Sequence, residues 1–324
     1  MADDASIERA AHRLAELLAG GGALRDPTGG ELVFEQSVTI AELRPADAPS
    51  DVWAVDGGQA LVADARCLQL YATRAATVRW RSGRCELEDE GQLRAHVLGL
   101  GEDRRVVAAL GAPVNPDSPV DVNLLRDWEE WRAVSAAVDA AEPGGMVLVD
   151  GDLQPDWRIA ASWVAALLRR ATDRDVVLAG VTKHSSLARG GAPLIGALER
   201  EAEESLGPRS TWWAKVATTR PELGPGLSVC VARLDPDARF AFRVDLPGGV
   251  DPARSLGRLA GCCDDAAFPG YPYPLSVADR LAACPGWLRR DSWERVESVL
   301  VDSGIAGDVV ERAFADRHRM MERG

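Results

Sequence analysis

Two short apolar runs in this 324-residue chain each end on an aspartate with glycine directly behind it: Ala54-Val55-Asp56-Gly57-Gly58 and Leu148-Val149-Asp150-Gly151-Asp152. An ionised carboxylate at the edge of a buried sheet is costly unless it is paired or bound to metal. The glycine beside it lets the chain turn sharply and lets a ligand come close to the backbone. Either run alone reads more simply as an Asp-Gly turn. Two of them, each closing an apolar strand, point instead to a site for a hard divalent cation, because Mg²⁺ and Mn²⁺ take carboxylate oxygens. Asp56 and Asp150 are the first two candidate ligands.

A third acid is available between them. Arg126, Glu129 and Glu130 lie in the run Arg-Asp-Trp-Glu-Glu-Trp-Arg, on a helix that leads directly into the second strand. By itself this run reads as a solvated helical face; beside the two aspartates, one of its glutamates could complete a metal cluster. Two other segments carry groups suited to phosphate or bases. Val181–Gly190 presents Lys183, His184, Ser185, Ser186 and Arg189, all hydrogen-bond donors. Phe268–Ala282 enters a helix through a proline-rich stretch with Tyr271 and Tyr273, which could stack on bases or bind a phosphate. Ordinary readings of these two are a polar loop and a packing turn.

The elements that must position these residues follow from periodicity and punctuation. Residues 5–19 form an amphipathic helix stopped by the glycines at 20–22. A short strand over 52–56, broken by Gly57–Gly58, precedes an alternating strand within 66–80. Residues 81–120 are polar, with Gly and Pro breaks, and contain an extension of that sheet. A helix spans 121–141, with Leu124, Leu125, Trp128, Trp131, Val134 and Val138, and a Pro-Gly-Gly stop leads into the strand 146–150. A helix at 156–172, a strand at 175–182, a helix at 193–206 and strands near 210–217, 227–234 and 239–245 come next. Helices at 275–284, 292–302 and 307–321 close the chain. The order is mixed α/β, with antiparallel strands first and strand–helix–strand crossovers after them.

Bulk properties bound the function. The formal net charge of −13 argues against a protein that coats nucleic acid through a general basic surface, so any such contact must be local. Lysine occurs only at 183 and 215. The cysteines, at 67, 85, 230, 262, 263 and 284, make no CxxC knuckle, and the histidines at 12, 96, 184 and 318 are scattered; buried reduced thiols are expected rather than a zinc site. No apolar run reaches membrane-spanning length, and the acidic, amphipathic N-terminus does not read as a signal peptide, so a cytoplasmic protein is expected. There is no GxxxxGK[ST] loop, no GxGxxG after a strand and no GxSxG elbow.

In their order, Val-Trp-Ala-Val-Asp56-Gly-Gly, the arginine- and glutamate-bearing helix, Met-Val-Leu-Val-Asp150-Gly-Asp-Leu, Ala-Gly-Val-Thr-Lys183-His-Ser-Ser, Ala-Phe-Arg-Val-Asp-Leu-Pro and Gly-Tyr271-Pro-Tyr-Pro-Leu-Ser-Val-Ala-Asp279-Arg-Leu-Ala resemble the NurA nuclease family. The likeness is to spaced motifs across roughly residues 50–285. It implies an α/β fold with an RNase H-like mixed sheet flanked by helices and a helical C-terminal portion, the whole chain 1–324 forming one nuclease domain. It also implies a Mn²⁺-dependent DNA nuclease, with Mg²⁺ possible and one or two ions, of the single-strand endonuclease and 5′–3′ exonuclease type. Such proteins act in DNA end resection and repair as a homodimer beside the hexameric ATPase HerA, and away from membranes. Carried over, Asp56 and Asp150 are metal ligands and the intervening glutamate falls at Glu129 or Glu130, with the Arg126-x-x-Glu129 spacing favouring Glu129. Tyr271 matches the C-terminal tyrosine, and Lys183 and Tyr271 would meet DNA or phosphate. Eight residues after that tyrosine the family often has histidine, where this chain has Asp279, an acid that can bind metal or position water but cannot act as a cationic imidazole. Gln59 follows the two glycines where a serine often does. The rival readings are an ATPase of the actin-like or sugar-kinase fold and a catalytically degenerate scaffold for a translocase.

Overall fold

The computed structural model describes residues 4–19, 21–27, 32–99, 101–115, 117–219 and 226–315. Positions 316–321 of the last expected helix, and His318, lie outside the described residues.

In chain order the elements are α1 (Asp4–Ala19), β1 (Leu24–Arg25), β2 (Leu32–Phe34), β3 (Ala41–Glu42), β4 (Asp51–Asp64), β5 (Gln69–Arg81), β6 (Arg84–Asp89), β7 (Arg94–Leu98), α2 (Glu102–Leu110), α3 (Val122–Ala140) and β8 (Met146–Asp150). They continue with α4 (Ala161–Asp173), β9 (Val177–Thr182), β10 (Ala188–Arg189), β11 (Ala192–Pro193), α5 (Leu194–Leu206), β12 (Trp212–Thr219), β13 (Leu227–Arg233), β14 (Phe242–Pro247), α6 (Pro252–Ala260), α7 (Tyr273–Ala282), α8 (Gly286–Asp302) and α9 (Gly307–Phe314). The main sheet runs β2-β12-β13-β14-β9-β8-β4-β5-β6, with β3 and β7 added on β12 and β5.

Its centre positions the site. β4, β5 and β6 form an antiparallel meander, and β8 and β9 lie parallel to β4 on its other side. Parallel neighbours need a crossover, and α3 and α4 supply the two. α3 begins where the Asp121 side chain accepts a hydrogen bond from the Leu124 amide at 3.0 Å, a standard N-cap. It ends just before Pro143, which cannot continue a helix. Val147, Val149 and Val55 pack under α3 and α4 with Trp131, Val134 and Leu167. The alternate residues Val52, Ala54, Met146 and Leu148 pack on the opposite face with Leu256, Leu275 and Ala278 of α6 and α7. At the edge, β6 is exposed along its length and carries Arg84, Glu86, Glu88 and Asp89, charges that discourage pairing with another chain.

Three expectations are corrected. β4 does not stop at Gly57: it runs fourteen residues, because β5 keeps pairing with it from Asp51↔Arg81 to Asp64↔Gln69 after the parallel partner β8 has ended. Asp56 is therefore in mid-strand, not at a turn. α4 starts at Ala161 rather than 156, since residues 156–160 are held in a turn in which Asp156 accepts from the Arg158 and Ile159 amides. α6 was not anticipated at all, although Asp251 followed by Pro252 is a strong start signal. No described helix is long and apolar enough to cross a membrane.

Candidate metal centre

Register and the two-residue period of strands bring the key side chains together. β4 and β8 pair in parallel through Val55↔Val149, so Asp56 and Asp150 come one step further on in both strands. Both follow Ala54 and Leu148 by two residues and therefore share the face that carries α7. β9 lies next, with Val181 paired to Asp150, and Lys183 leaves its end on the same side. α7 crosses above and contributes Asp279, one residue past the buried Ala278.

The carboxylate oxygens of Asp56, Asp150 and Asp279 all lie within 4.8 Å of one another. The Lys183 ammonium donates to Asp150 Oδ2 at 2.5 Å and to Asp279 Oδ1 at 2.6 Å. Burial holds the Asp56 carboxyl up at about 7, and Asp150 and Asp279 add to the effect by repulsion while Lys183 and the Gly57 amide oppose it. Asp150 is also raised, by burial first, with Lys183 pulling the other way. Three acids this close, reached by one lysine, form a site whose repulsion a divalent cation would relieve. The donor set is all hard oxygen. The Tyr271 hydroxyl is buried beside Asp150, where a hydrogen bond from the phenol favours the ionised carboxylate. The residues present therefore fit a hard divalent ion held by Asp56, Asp150 and Asp279.

The preference for Glu129 is not supported by this geometry. Glu129 shares a stripe of α3 with Val122 and Leu125, which pack toward β7 and α2. Its Oε2 accepts from the Thr73 hydroxyl at 2.9 Å, and its Oε1 lies 3.4 Å from His96 and 3.6 Å from Arg94. Glu130 instead shares the stripe of Val134 and Val138, which meets β4. Its carboxylate rests where a side chain on Gly57 would be, 2.6 Å from that position. Burial pushes the Glu130 carboxyl well above the usual range, with Asp127, Asp56 and Asp150 adding to it. Glu130 therefore approaches the cluster from the far face of the sheet. The signal was present in the sequence: Glu130 is one turn from Val134.

The remaining expected contacts divide. Tyr271 is 2 % exposed, its ring packed on Phe242 and Phe268, so it cannot stack on a base, although its hydroxyl faces the acids. Tyr273 stands edge-on to Trp80. In the loop after β9, Ser186 donates to Asp26 and Arg189 pairs with Glu201, leaving Lys183 as the residue joined to the cluster. One supporting network escaped the residue-level reading. Arg243, 3 % exposed on β14, donates from Nε and Nη2 to Asp245 at 2.8 Å each and lies 3.4 Å from Asp152. Asp245 in turn accepts from the Leu153 amide, which pins the turn that follows Asp150.

The order β6-β5-β4-β8-β9, an antiparallel meander extended by two strands parallel to the first, is that of an RNase H-like sheet. The fold is more particularly NurA-like. The NurA nuclease from Sulfolobus solfataricus superposes with a TM-score of 0.54 at 17 % identity, over 92 % of this chain and 94 % of that one. A second NurA structure gives 0.49 at 10 % identity, covering 86 % and 93 %, and human endonuclease V gives 0.40 at 14 %, covering 94 % and 99 %. No protein-family model matches the sequence, and no curated protein matches it.

Proposed function

We propose that this chain is a divalent-metal-dependent DNA nuclease. The observation that carries the reading is the convergence of Asp56, Asp150 and Asp279, drawn from two adjacent strands and a crossing helix, onto one small volume. The NurA-like fold supports the choice of a nuclease among hydrolytic metal sites. A bound divalent ion would polarise the scissile phosphate and lower the pKa of a coordinated water. Asp56, Asp150 and Asp279 would hold it, with Glu130 in reserve behind Gly57. Lys183 would turn from the carboxylates to the phosphate and offset its charge. The Tyr271 phenol, kept neutral by burial and by the three acids, can donate its proton in a hydrogen bond at the reacting centre.

Finer parts of the reading follow the motif resemblance: Mn²⁺ as the preferred ion with Mg²⁺ as substitute, single-strand endonuclease and 5′–3′ exonuclease activity, a homodimer, and a HerA-like hexameric ATPase as partner in end resection. The deciding experiment is digestion of 5′- and 3′-labelled single- and double-stranded DNA with Mn²⁺, Mg²⁺ or chelator. Cleavage is expected with metal only, and Asp56→Asn and Asp150→Asn are each expected to lose at least about 100-fold in rate. Near-full activity in both variants would refute the site. No cleavage under any condition would favour the scaffold reading, and calorimetric ATP binding without DNA would favour the kinase-like one.

A further inference from the structure

The loop that leaves Asp150 presents a tryptophan to solvent. Trp157 is 77 % exposed, while Trp128 and Trp163 nearby pack against each other. An indole left in water forgoes a large burial gain, so an unfastened loop would fold it inward. This loop is fastened on both sides of it. The Asp156 amide donates to Asp127 Oδ2 at 2.5 Å, and the Arg158 guanidinium, itself buried, donates to Asp156, Asp121 and the Pro119 carbonyl. Ile159 is buried, and the Ala160 amide donates to the Pro113 carbonyl. The indole stands between these anchors with the Arg158 guanidinium 5.8 Å from its ring centre.

Asp156, the residue before Trp157, is tied through Asp127 and Arg126 to Gly57, the neighbour of Asp56. Beyond Val55↔Val149, β4 has no strand partner on the β8 side among the described residues, so the Asp56–Gly57 segment is open there. Arg126 of α3 packs against Gly57, its Cγ 3.2 Å from where a Cβ would be. Its Nε is buried without a hydrogen-bond partner, and its side chain is 37 % exposed. Arg126 Nη2 lies 4.0 Å from Asp127, whose other oxygen holds the Asp156 amide. The line runs outward from Gly57 through Arg126 and Asp127 to Asp156, which Trp157 follows in the chain.

We propose that Trp157 and Arg126 form a binding subsite for one nucleotide of a single strand, its unpaired base stacked on the Trp157 indole and its phosphate on the Arg126 guanidinium. The inference rests on the nuclease reading and adds to it a place where one nucleotide is held. A base can stack on a protein ring only if a face is free, which duplex stacking denies it. The acidic exterior makes this more necessary: with a net charge of −13 there is little general electrostatic hold on a polyanion, and stacking supplies affinity without charge.

The test measures binding without cleavage, on the full chain carrying Asp56→Asn and in chelator, by anisotropy of a labelled oligothymidylate and of a blunt hairpin duplex. Trp157→Ala is expected to weaken single-strand binding by about 5- to 100-fold and to leave the duplex unchanged, with Trp157→Phe retaining most of the affinity. Arg126→Ala is expected to weaken the single strand and to reduce the salt slope by about one. Thermal melting of each variant establishes that it is folded. Single-strand affinity within about twofold of the parent in Trp157→Ala, or equal loss on the duplex, overturns the subsite, as does a parent that binds no single strand. A wild-type chain that binds through Trp157 but never cleaves would refute the nuclease reading and leave the subsite standing. One that cleaves while Trp157→Ala binds normally would do the reverse.

Discussion

At the scale of single residues, the central fact is an aspartate that folding makes hard to ionise. Asp56 is held up at about 7 by burial and by Asp150 and Asp279. A divalent ion must displace that proton, so metal affinity is expected to rise with pH by up to about tenfold per unit and to level off above pH 7. Titration calorimetry without DNA measures this, and a flat profile between pH 5.5 and roughly 8 would count against Asp56 as a ligand. Stability runs the other way without metal. Between the ordinary carboxylate range and pH 7 the folded chain binds a proton that the unfolded chain has already released, so stability falls as pH rises through that window. Asp56→Asn keeps an acceptor for the Gly57 amide and removes the charge; at pH 8 in chelator it is expected to gain about 1–3 kcal/mol, read from urea midpoints. Adjacent glutamates separate in a second comparison. Glu130→Gln should change metal affinity or the pH profile, whereas Glu129→Gln should leave both and cost about 1–2 kcal/mol by weakening the pairing with His96 and Arg94. The opposite pattern would restore Glu129 as the metal-side acid.

At the scale of elements, the site depends on two glycines that let helices approach β4 from both faces. A side chain on Gly57 would meet Glu130 and Arg126 of α3, and one on Gly58 would meet the Ala282 carbonyl of α7 at 1.8 Å. The first clash is chiefly with the Glu130 carboxylate and the second with backbone. Arg74 adds to the second contact by donating to the Ala282 and Ala283 carbonyls, which holds the end of α7 against β5. Gly58→Ala is therefore expected to cost about 2 kcal/mol or more in urea unfolding and to lower metal affinity, because the helix that carries Asp279 must move. Gly196, inside α5 with nothing within 4 Å of its Cβ position, is the contrasting case: Gly196→Ala should stabilise by about 0.5–1 kcal/mol. Equal effects at the two positions would show that α7 docking does not set the site.

At the scale of the whole molecule, 50 acidic residues against 37 basic ones mean that DNA contact must be confined to a small region. Affinity for a single strand is expected to fall with salt along a shallow slope of about −1.5, equivalent to about two phosphates. A slope several times steeper would require an extended basic surface and would contradict a grip made mainly by Lys183, Arg126 and a stacked base. The apolar strands, α3 and the Asp-Gly pairs were legible in the sequence, because strand and helix periods and glycine punctuation are local properties. So were Asp56 and Asp150 as a pair, from two like runs, and Asp279 as a departure within a motif. The length of β4 was not legible, because pairing with β5 carries it through two glycines that would end an isolated strand. Nor was the choice between Glu129 and Glu130, since neighbouring residues on a helix differ only in which stripe meets the sheet. By itself the sequence singled out Asp56 and Asp150 as candidate cation ligands and indicated the elements that carry them, through local spacing and chemistry. Only the tertiary structure decided that Asp279 joins Asp56 and Asp150, that Lys183 lies among them, and that Tyr271 is buried while Trp157 is exposed. Those outcomes depend on strand register and on which face each helix covers, and both are set by contacts between residues far apart in the chain.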